Sequence, residues 1–315
     1  MTFSKTVTGV AANDFTATLS GVTAGTLVVP AISGTVYDVT VPSISGNGKV
    51  RLDIRNTATI SDALGNAYNS NFTTGQVYTV DTILPTVVSS NYQSPATSPT
   101  NATSLIFRVT FSENVTGVAT TDFTTTLSGV TTGAPTVSPV SGTVYDVTVP
   151  SVSGSGTVRL DIPNTATITD AVGNAYNSNF TTGQVYTVDQ ALPTFTAIAP
   201  ASNSTMSDTK VSYTLSENIV SGTITWTRTG GTADANTHIQ TLTGTELNSG
   251  VHTEITLTND PTLVVGAIYT VVFAGTDAVG NFGSTTSTSV TYTPTAIANS
   301  DIVATSGFVY TQNID

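Results

Sequence analysis

The chain contains no cysteine, which excludes a disulfide framework, a thiolate nucleophile and a Cys-ligated zinc site and leaves stability to apolar cores or to a metal held by oxygen. Charge is almost as scarce. Charged residues make up 9% of 315 positions, and with 8 Lys and Arg against 20 Asp and Glu the formal net charge is -12. This balance argues against a nucleic-acid partner or an anionic membrane surface and leaves cations as the complement. Only two histidines occur, His238 and His252. They show no His-Glu-x-x-His spacing, and no Gly-x-Ser-x-Gly turn is present, so both read as exposed loop histidines and the chain as no enzyme, with no catalytic residue to name. No run of about 18 apolar residues exists, so membrane insertion is not expected. The first residues, MTFSKTVTGV, lack a basic region followed by an apolar stretch and do not form a signal peptide.

What is present is a repeat. The stretch Asp170 to Asp189, DAVGNAYNSNFTTGQVYTVD, recurs upstream as Asp62 to Asp81, and a third Asp-Ala-Val-Gly-Asn turn runs from Asp277 to Asn281. At an offset of 108 residues, Gly34 to Val80 differ from Gly142 to Val188 at six of 47 positions. The expected organisation is a unit over 1–82, a second over 83–190, a divergent third over 191–294, and in 295–315 the start of a further unit or a tail, with a strand at Gly307 to Thr311. The same offset aligns Phe3-Ser4 with Phe111-Ser112, so the first unit starts inside its own second strand. The chain therefore reads as a fragment of a longer polypeptide.

A Thr, Ser, Gly, Val and Asn bias with little Lys, Glu or Leu favours strands over helices. Leu105, Phe107, Val109 and Phe111 alternate with Ile106, Arg108 and Thr110, and the same period of two recurs over Tyr145 to Val149 and Val158 to Ile162. Gly- and Ser-rich breaks between these runs are spaced as an all-β sandwich requires, with about seven strands per unit. In the third unit Val211, Tyr213 and Leu215, Ile224 and Trp226, and Tyr269, Val271 and Phe273 carry the pattern. Trp226 reads as core, with an exposed sugar-stacking platform as the alternative. Asp38, Asp53, Asp146 and Asp161 fall on outward positions and are expected to keep the sheets soluble.

Phe-Ser-Glu-Asn-Val at 111–115, Asp122-Phe123, the Asp-Ala-x-Gly-Asn turns and the Val-Asp to Leu-Pro-Thr junctions together resemble the bacterial immunoglobulin-like repeats of large secreted surface adhesins. The resemblance covers essentially the whole chain and departs in the first unit, where Lys5-Thr6 replaces Glu-Asn. It implies tandem immunoglobulin-like β-sandwiches, the first one truncated, in a rod at a cell surface or outside the cell. Calcium often sits at the domain junctions of such repeats, and no enzymatic activity comes with them.

In such a sandwich the loop after the second strand, the loop after the sixth and the incoming linker lie at one end. This groups Asp81, Glu113 and Asp170, and again Asp189, Glu217 and Asp277. Three clustered carboxylates repel unless a cation sits among them, and calcium accepts six to eight oxygens in irregular geometry. Asn114, Asn174, Asn218 and Asn281 are candidate further ligands or turn residues. The alternative is that Asp-Ala-x-Gly-Asn is turn chemistry alone, the Asp capping its own backbone and the Gly supplying a positive φ. Two functions follow: a structural or adhesive stalk whose partners are neighbouring units and an unspecified surface glycan or protein, or accessory spacer or carbohydrate-binding modules of a secreted polysaccharide-degrading enzyme.

Overall fold

The computed structural model describes residues 1–30 and 34–295. Over these the chain is all-β, its strands interrupted by single 3-10 turns at Ala12–Asp14, Thr120–Asp122 and Gly244–Leu247. The expected strand at 307–311 lies outside the described residues.

The alternation in the second repeat becomes two sheets sharing one core. Thr136–Pro139, Val144–Val149, Leu105–Phe111 and Val87–Ser94 pair in that order, and Thr124–Thr131, Ser153–Asp161 and Val185–Val188 form the other sheet. Leu105, Phe107, Val147 and Val149 of the first sheet meet Val158, Leu160, Tyr186 and Val188 of the second, all essentially without exposure. Each such apolar side chain withdrawn from water contributes about 1.5–3 kcal/mol before the entropy of ordering is set against it. Tyr145 keeps its hydroxyl bonded inside the core by donating to the Val115 carbonyl (3.0 Å).

The third repeat keeps the plan and moves strands between sheets. Phe195–Ala199, Val211–Leu215 and Gly250–Ile255 form one sheet. Thr205–Met206, Phe282–Tyr292, Ala267–Thr276, Ser221–Gly231 and His238–Thr241 form the other. Trp226 lies in this core with no exposure, edge-on to Tyr269 at 6.3 Å, so it provides no sugar platform.

In the first repeat Gly34–Val36, Thr2–Thr8 and Ser61–Asp62 form one sheet, and Phe15–Thr23, Ser45–Ile54 and Val77–Val80 the other. Its fully buried cluster shrinks to Phe15, Ile54, Ala58 and Ile60. Identical residues therefore sit in different surroundings: Tyr186 is 0% exposed, whereas Tyr78, 108 positions earlier, is 69% exposed. Tyr186 is covered by Tyr92 and Phe107, with ring centroids at 4.3 and 5.0 Å.

Two expectations are corrected. Asp53 and Asp161 are buried, each held by an arginine two residues back on the same strand face (Arg51 and Arg159, 2.7 Å) and by Thr18 or Thr126 across the sheet. Asp146 is likewise paired with Arg108 at 2.8 Å, and of the four only Asp38 is freely exposed. The histidines are on strands, not in loops. His238 bonds the Asp234 carboxylate at 2.8 Å, and His252 stacks on Tyr213 with ring centroids 4.5 Å apart.

Candidate metal centre

Strand pairing explains why distant carboxylates meet. Glu113 lies in the turn that leaves Leu105–Phe111, and Val115–Thr116 beyond it pairs with Thr169–Asp170, placing Val115 opposite Asp170. Asp81 reaches the same end from the junction that follows Val77–Val80. In the third repeat the Val220 N–H donates to the Thr276 carbonyl (2.8 Å), which brings the Glu217 loop beside Asp277. In both groups, Asp81–Glu113–Asp170 and Asp189–Glu217–Asp277, one carboxylate oxygen from each residue lies within 4.8 Å of the others.

The Asp-Ala-x-Gly-Asn turn is built as turn chemistry requires. Asp170 Oδ1 accepts the N–H groups of Val172, Gly173 and Asn174 at 2.8–2.9 Å, and its Oδ2 accepts Asn174 Nδ2 at 2.7 Å. Gly173 supplies a φ of 101°, a conformation costly for a residue with a Cβ. Asp277 repeats this with Val279 and Asn281. The turn accounts for Asp170 and Asp277 but not for the glutamates. Neither Glu113 nor Glu217 has a hydrogen-bond donor among the described residues, yet each faces two further carboxylates.

The charge state follows. Burial pushes the Glu113 carboxyl above its ordinary value, and the negative charges of Asp81 and Asp170 push it the same way. Glu217 is raised by burial, then by Asp189 and Asp277. Burial would also raise Asp170, but the Asn174 side chain and the backbone N–H groups of the turn outweigh it and hold that carboxyl below the usual range. Asp277 follows the same pattern with Asn281.

The asparagines also grip the junction. Asn174 Nδ2 donates to the Asp81 carbonyl (3.1 Å), and Asn281 Nδ2 to the Asp189 carbonyl (2.9 Å). From the preceding repeat, Asn47 Nδ2 donates to Asp81 Oδ1 (2.7 Å) and Ser155 Oγ to Asp189 Oδ1 (3.3 Å). Each junction aspartate is thus held from both sides. Asn114 has no such role, and Asn218 accepts the Ser249 N–H (2.7 Å); both stand apart from the carboxylates' bonding.

The first repeat provides an internal comparison. Lys5 stands where Glu113 and Glu217 stand, and its Nζ lies 3.2 Å from Asp62 Oδ2, the counterpart of Asp170. Side-chain and backbone bonds from Asn66, with Lys5 adding to them, hold the Asp62 carboxyl far below its ordinary range. Where the glutamate is replaced, a tethered cation takes its place beside the turn aspartate.

The donor set is all oxygen and all anionic, and the spacing suits one ion. Ligands at about 2.3–2.6 Å from a common centre lie at most about 5 Å apart, which hard-cation coordination allows and soft-metal chemistry does not favour. Among the described residues no helix is long and apolar enough to cross a membrane. No protein-family model matches the chain, and no curated protein matches it either.

Proposed function

We propose that the chain is a structural and adhesive stalk segment of a large bacterial surface or secreted protein, its repeats stiffened by calcium at the junctions. One observation carries this reading: each acidic trio joins a junction residue, Asp81 or Asp189, to two carboxylates of the repeat that follows. An ion bound there ties two bodies together, and its binding free energy appears as junction stiffness and stability. With the two-residue strands Val115–Thr116 and Thr169–Asp170 set apart as their own pair, the sheet partition of the second repeat's other seven strands, first, second, fifth and fourth against third, sixth and seventh, supports an immunoglobulin-like sandwich. Calcium suits the site better than magnesium because the oxygens sit on separate loops rather than on a compact octahedral frame. Trp226 is core, which leaves a carbohydrate-binding module without its expected platform.

Thermal unfolding in millimolar calcium and in chelator tests the reading. Calcium should raise the melting of the second and third repeats more than that of the first, because Lys5 replaces the acidic ligand at the first repeat's outer end. Equal melting with and without calcium would overturn it.

A further inference from the structure

Asp189 and Gln190, the residues on which the chain leaves the second repeat, are fastened by that repeat's own loops. The Asp189 N–H donates to the Thr100 carbonyl (2.9 Å), and the N–H groups of Gln190 and Ala191 both donate to Ser155 Oγ (2.9 and 3.1 Å). The Gln190 side chain then spans two loops. Its Oε1 accepts the Gly154 N–H (3.0 Å), and its Nε2 lies 3.2 Å from the Val152 carbonyl and 3.3 and 3.4 Å from those of Ala102 and Asn101. Thr82 holds the corresponding place at the first junction. Its hydroxyl donates to Asn47 Oδ1 (2.8 Å), and a threonine has neither the length nor the second polar atom for such a span.

The third repeat takes hold of the same residues. Asn281, only 7% exposed, donates Nδ2 to the Asp189 carbonyl (2.9 Å), and its Oδ1 accepts Asn101 Nδ2 (3.2 Å). Asn101 thus serves both repeats: its carbonyl faces Gln190 and its side chain reaches the third repeat. Gln190, Asn101, Asn281 and the Asp189 carbonyl close a ring of hydrogen bonds across the junction. Every donor in it is an uncharged amide and every acceptor an amide oxygen, so the ring closes without a cation. The chain beyond it has little freedom. Pro193 fixes its own φ and holds Leu192 extended, and Thr194 exchanges bonds with Ser216 of the third repeat (2.9 and 3.1 Å). Relative motion is the ordinary expectation for neighbouring domains, but here each residue from Asp189 to Thr194 is restrained.

We propose that Gln190 and Asn101 lock the third repeat to the second in one orientation without a metal, so that these two repeats turn as a single body. Both are positioning residues: Gln190 fixes the Asn101 loop, and Asn101 orients the Asn281 amide that grips the junction. The inference rests on the stalk reading for its purpose, a segment of set shape, while the lock itself needs no ion.

Because the chain has no cysteine, spin labels can be placed in the full chain at Thr124→Cys and Thr241→Cys, exposed positions of the second and third repeats. In chelator the labelled protein should give one narrow distribution of distances. Gln190→Thr, which installs the residue of the first junction, and Asn101→Ala should each at least double its width, with hydrogen-exchange protection of Leu105 to Phe111 and Val211 to Leu215 unchanged. A broad distribution before substitution, or variants that leave its width unaltered, would overturn the lock. Broadening accompanied by lost protection would also overturn it, assigning the amides to the fold of one repeat rather than to the junction. Calcium separates this inference from the reading beneath it: narrowing of the variants' distributions supports an ion at the junction, and no narrowing contradicts the ion while the lock stands.

Discussion

At the scale of single residues, the junction chemistry turns on Glu113 and Glu217, which among the described residues have no hydrogen-bond donor and sit against two carboxylates each. A carboxyl whose pKa is raised on folding opposes the folded state above that pKa, and the opposition vanishes as pH falls through the raised value. Asp170 and Asp277 behave oppositely. Their pKa values are depressed by the turn, so they stabilise the fold above the ordinary aspartate range and lose that contribution as pH falls through the depressed values. In chelator, the melting temperature should therefore rise as pH is lowered through the window just above the ordinary glutamate range and fall again below the ordinary aspartate range. The Glu113→Gln, Glu217→Gln double variant should lack the rise and keep the fall, since the turns stay intact. An identical profile for wild type and variant would show that the trios exert no mutual repulsion. Asp170→Ala is the poorer probe, because it removes four turn hydrogen bonds together with one carboxylate of the trio.

At the scale of strands, the first and second repeats place nearly the same sequence in different surroundings. Tyr186 is enclosed because Val87–Ser94 and Leu105–Phe111 cover it, whereas Tyr78 has no counterpart of either cover over its ring. Tyr186→Ala should cost roughly 3–5 kcal/mol, in the range for a large core aromatic, and Tyr78→Ala no more than about 0.5 kcal/mol. Chemical denaturation of the two variants reads this directly, and equal losses would mean that Tyr78 is covered in solution. The strands themselves were largely legible in the sequence: the alternation from Leu105 to Phe111 became a strand buried at every second residue. Partners across the sheet were not. Period two places Asp53 and Asp161 on the outer face, but nothing local says that Thr18 and Thr126 close over them or that the arginine two residues back folds down to pair. Asp122 stood out as part of a motif, but its role did not. It is 1% exposed and pins the Thr120–Asp122 turn to a loop far along the chain by accepting the N–H groups of Ala119 (2.8 Å) and Thr167 (2.7 Å). The carboxylate trios were legible for a different reason: repetition fixed which loops correspond, and sandwich topology gathers corresponding loops at one end. The gripping of the Asp81 and Asp189 carbonyls by asparagine was hidden, because a main-chain acceptor leaves no mark in the sequence.

At the scale of the whole molecule, apolar sandwiches follow one another through junctions where three carboxylates gather with the geometry to hold a metal ion. Each junction aspartate is held by the repeat before it and the repeat after it, so order at the carboxylates is order between bodies. The proline of each Leu-Pro pair, Pro85 and Pro193, fixes its own φ and restricts the residue before it, which stiffens the same few residues. In the first repeat Lys5 stands in the glutamate's position and pairs with the turn aspartate Asp62 at 3.2 Å. Calorimetric titration of calcium into the full chain reads directly whether the two trios bind it. Two sites are expected in the wild type, one in Glu113→Gln, one in Glu217→Gln and none in the double variant, with all four proteins folded in chelator. No binding at millimolar calcium, or two sites surviving in the double variant, would contradict that expectation.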